Sequence, residues 1–245
     1  MRSFYILAST LALAACNMAA DAQDGDGGGS GRTTQQTYNV GAFEGVALAG
    51  SQNVVVTVGG APSVRAEGDA EMIERMDIRV ENGTLRIGTK KGEQWSIGWG
   101  RDRKPVTVYV TTPRLASAAV AGSGDMMIDK VEGERFAGSI AGSGDMQIGA
   151  LRVNEADFSV AGSGDVRAAG SAGRLKASIA GSGDIDLAGV SSRQAQVSIV
   201  GSGDVRAQAT ETADVSVMGS GNVTMAGSAR CSVNKRGSGD VRCGA

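Results

Sequence analysis

The chain has 245 residues with 24 basic and 26 acidic side chains and no histidine, a length that suits one elongated domain or two compact ones. Nucleic-acid binding normally shows as a basic face or stripe, and none is evident in a sequence of this charge balance; without His the usual general base near neutral pH and the commonest metal ligand are both missing. Glycine reaches 38 residues, yet apolar residues make up 41% and aromatics only 4%, so the glycines read as tight turns around a narrow core of slim side chains rather than as disorder.

Residues 1–15 read as a targeting signal. Arg2 supplies the positive start, and Phe4 to Ala15 is an apolar stretch too short for a stable membrane span. It ends in Leu13-Ala14-Ala15-Cys16, which resembles the bacterial lipobox. That resemblance implies cleavage before Cys16 and acylation of its thiol, with several acyl chains giving stable membrane attachment. The alternative is an ordinary secretory signal with Cys16 incidental. Asn17 after the Cys, instead of Asp, points to the outer membrane by analogy with enteric bacteria. Residues 16–37, rich in Gly, Ser and Asp and closing on a Thr/Gln-rich stretch, read as a soluble flexible tether.

The domain is expected over 38–245. Its first part, 38–113, contains strand-like runs: Asn53 to Val58, Thr84 to Ile87 and Val106 to Val110. Ala49-Gly50-Ser51-Gln52-Asn53 looks like a degenerate form of the turn repeated further on. This part is expected to form irregular first coils, with Glu71 to Met76 as a short helix or turn over the open end. Trp95 and Trp99, four residues apart, make the most ligand-like stretch of the chain. The plainer reading of the pair is a strand edge or loop.

Over 114–245 a repeat dominates. Gly-Ser-Gly-Asp begins at Gly122, Gly142, Gly162, Gly181, Gly201 and Gly237, and Gly-Ser-Gly-Asn at Gly219. The spacing of 18 to 20 residues signals one unit stacked many times. Apolar residues stand two before the first six turns (Val120, Ile140, Val160, Ile179, Ile199, Val217) and one after the Asp or Asn of all seven (Met126, Met146, Val166, Ile185, Val205, Val223, Val241). Small or polar residues lie between, including Ser139, Ser159, Ser178, Ser198 and Ser216. Alternation on both sides of a turn predicts two short half-buried strands per repeat. An antiparallel meander and a parallel solenoid both accommodate this unit. Near-identical repeat length favours the all-β parallel solenoid, a single elongated domain of about 20-residue coils with the motif at a corner.

Asp125, Asp145, Asp165, Asp184, Asp204 and Asp240 then stack into a carboxylate ladder. As metal ligands they are weak candidates, because Asn222 occupies the same place without charge and an Asx-type cap on backbone N–H groups accounts for both residues. Cys231 and Cys243 have inward parity in the final coil, and in an oxidising compartment they read as a disulfide. The serine column has no histidine beside it and reads as a hydroxyl ladder. No cofactor is expected.

Taken in order, several segments resemble the head-GIN-domain family of auto-transporter adhesins. These are Phe43-Glu44-Gly45-Val46, Asn53 to Val56, Val64 to Asp69, Gly83 to Ile87 and Val108 to Leu115, leading into the turns. The resemblance implies a β-helical fold shaped like pectin lyases but lacking their catalytic residues, with a role in adhesion. The expected function is a non-catalytic, lipid-anchored envelope protein, periplasmic or surface-facing. It is held to the membrane through Cys16 and binds a glycan, a protein or a second copy at the cell surface. Two alternatives stand beside it: a polysaccharide-acting enzyme on a lyase-like β-helix, and a structural envelope protein without a specific ligand.

Overall fold

The computed structural model describes residues 32–90 and 105–244. In chain order it opens with β1 (Thr33–Tyr38), β2 (Gly45–Gly50), β3 (Asn53–Val58) and β4 (Ser63–Asp69). Helix α1 (Ala70–Glu74) follows, then β5 (Met76–Glu81), β6 (Thr84–Thr89), β7 (Thr107–Thr112) and β8 (Ser117–Gly122).

Only part of this half belongs to the coils. β2 and β3 make one rung that stacks in parallel on the regular repeats, Gly50 beside Gly122 and Val54 beside Met126. β6 and β7 stack in parallel on β2 and β3 as a further, less regular rung, Gly45 beside Thr84 and Val54 beside Val108, whereas β1, β4, β5 and α1 form a cap over it. β4 runs antiparallel to β7, and β1 antiparallel to β4. β5 runs antiparallel to β6. The physical reason lies at the rod's end, where a parallel rung has an open edge of unpaired N–H and C=O groups. Antiparallel neighbours can extend that edge through short connections, which parallel ones cannot. Residues 33–37, expected in the tether, instead form most of β1, which pairs along its whole length from Thr33↔Asp69 to Tyr38↔Val64. Helix α1 lies close to the 71–76 stretch expected to cover the end. Asp69 caps it by accepting from the backbone N–H groups of Glu71 (3.1 Å) and Met72 (3.2 Å), and Ile73 is buried.

The regular part is a parallel solenoid, as the repeat length indicated. β9 (Met126–Gly142), β10 (Met146–Gly162), β11 (Val166–Gly181), β12 (Ile185–Gly201) and β13 (Val205–Gly219) each pair in parallel with the next. β14 (Val223–Ala226), β15 (Arg230–Gly237) and β16 (Val241–Cys243) complete the last rungs. Equivalent residues stack on themselves: Ser139 on Ser159 on Ser178 on Ser198 on Ser216. Each repeat is one long strand that bends, where two short ones were expected. In β10 the buried positions run 146, 148, 151, 153, 156, 158 and 160, so the alternation slips by one residue at two places. Those slips are corners, and the glycine turn is the third, giving a three-sided coil.

A single core runs from Phe43 to Met225. Neighbouring coils adjust their side-chain volumes to fit one another. Gly138 sits beside Phe158 in register, and a Cβ on Gly138 would press into the Phe158 ring. Phe136 meets that ring at 5.9 Å between centroids, tilted by 57°. A large residue in one coil thus fills what a glycine leaves in the next, which keeps the narrow interior at packed density.

Candidate functional site

The turn corner follows from two separate demands on glycine. The first glycine of each turn has positive φ, +137° at Gly162, where a side chain is strained. The second, such as Gly164, lies so close to the turn below that a Cβ would overlap the carbonyl oxygen of Gly144. Backbone groups are then paired between coils. The N–H groups of Ser163 and Gly164 both donate to the Gly142 carbonyl, at 2.9 and 3.2 Å.

The aspartates complete the corner differently from a local Asx-turn. The N–H of Asp165 donates to Oδ1 of Asp145 (2.9 Å), that of Asp184 to Asp165 (3.0 Å) and that of Asp204 to Asp184 (2.8 Å). Asp145 donates to Asp125 at 3.0 Å, and Asp240 to Asn222 at 2.9 Å. Each carboxylate therefore caps the same residue one coil further on. Asn222 substitutes readily because its carbonyl oxygen accepts that bond while its amide donates back to Asp204 (2.9 Å). The ladder reaches into the irregular half, where the N–H of Asp125 meets Oδ1 of Asn53. Sequence reading recognised that turn as degenerate without assigning Asn53 this part. Gln52 takes the place of the second glycine there, buried, with its amide folded back against Gly50. Among the described residues no group of three or more His, Cys, Asp or Glu is arranged to hold a metal.

Cys231 and Cys243 form the expected disulfide, with Cα atoms 6.5 Å apart, closing the final coil. Cys16, Trp95 and Trp99 lie outside the described residues.

The flanks of the rod differ in character. The wall leading into the turns exposes Ala121, Ala141, Ala161, Ala180, Val200 and Met218 in one column, beside the stacked serines. Neither column carries a charge from 119 to 218. Another corner is ionic: Arg135 and Arg174, from the coils on either side, both pair with Glu155. The Arg135 guanidinium, by hydrogen bond and by charge, and then Arg174 hold the Glu155 carboxyl below the usual carboxylate range. A third feature is a hollow of about 780 Å³ at the capped end, lined by Tyr38, Glu74, Met76 and Lys90 among others. Burial raises the pKa of the Tyr38 phenol. Among the described residues no helix is long and apolar enough to cross a membrane.

These features define a parallel β-solenoid with glycine–aspartate corner ladders. The sequence profile of the family described as "Putative auto-transporter adhesin, head GIN domain" matches residues 42–229, and the chain belongs to that family. Solved structures share the fold. A putative adhesin from Bacteroides fragilis superposes with a TM-score of 0.78 at 23% identity, covering 86% of this chain and 96% of its own. A putative lipid binding protein from Parabacteroides distasonis gives 0.69 at 23% identity, covering 87% and 97%. A putative adhesin from the same organism gives 0.69 at 20%, covering 87% and 98%. No curated protein matches the sequence.

Proposed function

We propose that the protein is a non-catalytic adhesive module of the bacterial envelope, anchored by an acylated Cys16 and binding a glycan or protein through the two uncharged columns beside the turns. The observation that carries this reading is the pair of columns itself. Two adjacent columns of stacked residues from Ala119 to Met218 carry no charged side chain, with Asp157, Lys176 and Asp214 in the next column along the same face, and a flat, regular surface suits an extended partner better than a small molecule, which needs a concave site. Family membership supports adhesion as the role. The lipobox-like Leu13-Ala14-Ala15-Cys16 supports the anchor, and the outer membrane is the expected destination.

Protease treatment of intact cells tests where the module acts. Digestion of the domain on intact cells is the expected result. Survival until the outer membrane is permeabilised would rule out adhesion to external partners. Replacing wall residues with Ala161→Glu and Ala180→Glu, both exposed, should lower cell attachment without unfolding the coil. Unchanged attachment would remove the wall from the account.

A further inference from the structure

The last coil breaks the pattern of all the others. Arg236 continues the column of Ala141, Ala161, Ala180, Val200 and Met218, and Lys235 continues the buried column of Val160, Ile179, Ile199 and Val217. With Arg230 and Arg242 they place four exposed cations in one coil against a single acid, Asp240. Cations along the sides of the rod, such as Arg135, Arg152, Arg174 and Lys176, have carboxylate partners. None of the four in the last coil is paired with a carboxylate among the described residues. Lys235 instead donates to the Gly239 carbonyl (2.8 Å), which keeps its charge at the end of the rod.

The geometry of this coil is flat. Among the described residues β15 pairs only with β13, and β16 only with β14, so both lie one strand step beyond the preceding rung with none of those residues stacked above. At its centre Val233 occupies a core column yet is 48% exposed. A flat face with an apolar centre and a cationic rim is the form that associates with an anionic membrane surface.

We propose that the terminal coil, residues 230–244, is a docking face for anionic lipid headgroups. Charge complementarity is the main argument, since each unpaired cation near an anionic surface contributes about five-fold in affinity. The length of chain before the fold agrees with it. Cys16 to Arg32 spans up to roughly 55 Å when extended, comparable to the ten strand steps from β1 to β16, about 48 Å. A rod anchored at Cys16 can therefore lie down so that its far end returns to the same membrane. That geometric point rests on the proposed anchor, whereas the charge argument does not.

The test uses the chain from residue 16 onward carrying Cys16→Ala, which has neither the apolar leader nor an acylated thiol, so failure of the anchor and failure of the docking face are read separately. Co-sedimentation is measured with vesicles of phosphatidylcholine alone or with one third phosphatidylglycerol. Binding is expected only to the anionic vesicles and is expected to fall with salt. Lys235→Ala with Arg236→Ala should weaken it by about 25-fold, two cations' worth, while Arg135→Ala with Arg152→Ala should leave it unchanged. Circular dichroism and an intact disulfide verify folding in each variant. Equal binding to both vesicle types would overturn the proposal. So would a Lys235/Arg236 variant that binds as before but self-associates, because the cations would then only keep the open edge from pairing.

Discussion

At the residue scale the corner turn asks something different of each of its members. Gly164→Ala places a methyl group against the Gly144 carbonyl and cannot be relieved without parting two coils. Its cost is expected to be about 3 kcal/mol or more, in the range of severe backbone and overpacking changes, read as a lowered denaturant midpoint. Asp165→Ala removes the acceptor for the Asp184 N–H and should cost about 1 kcal/mol, whereas Asp165→Asn should be nearly neutral because Asn222 already performs the same task. The sequence showed that these residues mattered and that Asn was tolerated. It did not show that the acceptor serves the next coil, since spacing along one chain does not distinguish a bond within a turn from one between stacked turns. Glu155 gives a pH-dependent counterpart. Its folded pKa is lowered chiefly by Arg135, so its contribution is present above the unfolded carboxylate value and lost as pH falls through the folded one. Stability curves of the protein and of Glu155→Gln should accordingly converge on acidification. The gap between them at neutral pH should be small, because the carboxylate is exposed to solvent.

At the scale of elements, the contrast between regular and irregular parts explains what could be foreseen. Coils of constant length stack with equivalent residues in register, so the repeat alone was enough to predict the parallel solenoid. The bends within each long strand were hidden, because a one-residue slip at Ile148/Leu151 reads as noise in a period-two pattern. The cap was hidden for another reason. β4 and β5 have ordinary strand sequences, and their antiparallel pairing is imposed by the end of the stack and not by their composition. Large and small residues in one column are also an element-scale matter. Phe158→Ala would leave a void beside Gly138 as well as its own, and a loss of about 4 kcal/mol is expected in thermal or chemical unfolding.

At the scale of the whole molecule, the two ends are finished in different ways. One is closed by antiparallel strands and α1, the other by a basic coil stapled through Cys231 and Cys243. Because each coil touches only its neighbours, loosening one end need not unfold the rest. Reduction of the disulfide should therefore raise amide exchange in β15 and β16 and leave β9 to β11 protected, as hydrogen-exchange mass spectrometry would record. Uniform loss of protection would mean that the stack unfolds as one unit. The functional surfaces were less legible than the fold. The two uncharged columns become visible once residues are assembled from every coil, and the last coil stands out only by comparison with the columns beneath it.

The central claim is that the Gly-Ser-Gly-Asp corner builds the stack through backbone capping and needs no metal to do so. Its most direct test is thermal unfolding, with and without millimolar calcium, of the protein and of a variant with Asn at all six aspartate positions, 125, 145, 165, 184, 204 and 240. The account predicts a cooperative transition in both proteins, at similar temperatures and unmoved by calcium. A transition that calcium raises in the parent but not in the variant would contradict it and make the ladder a metal site.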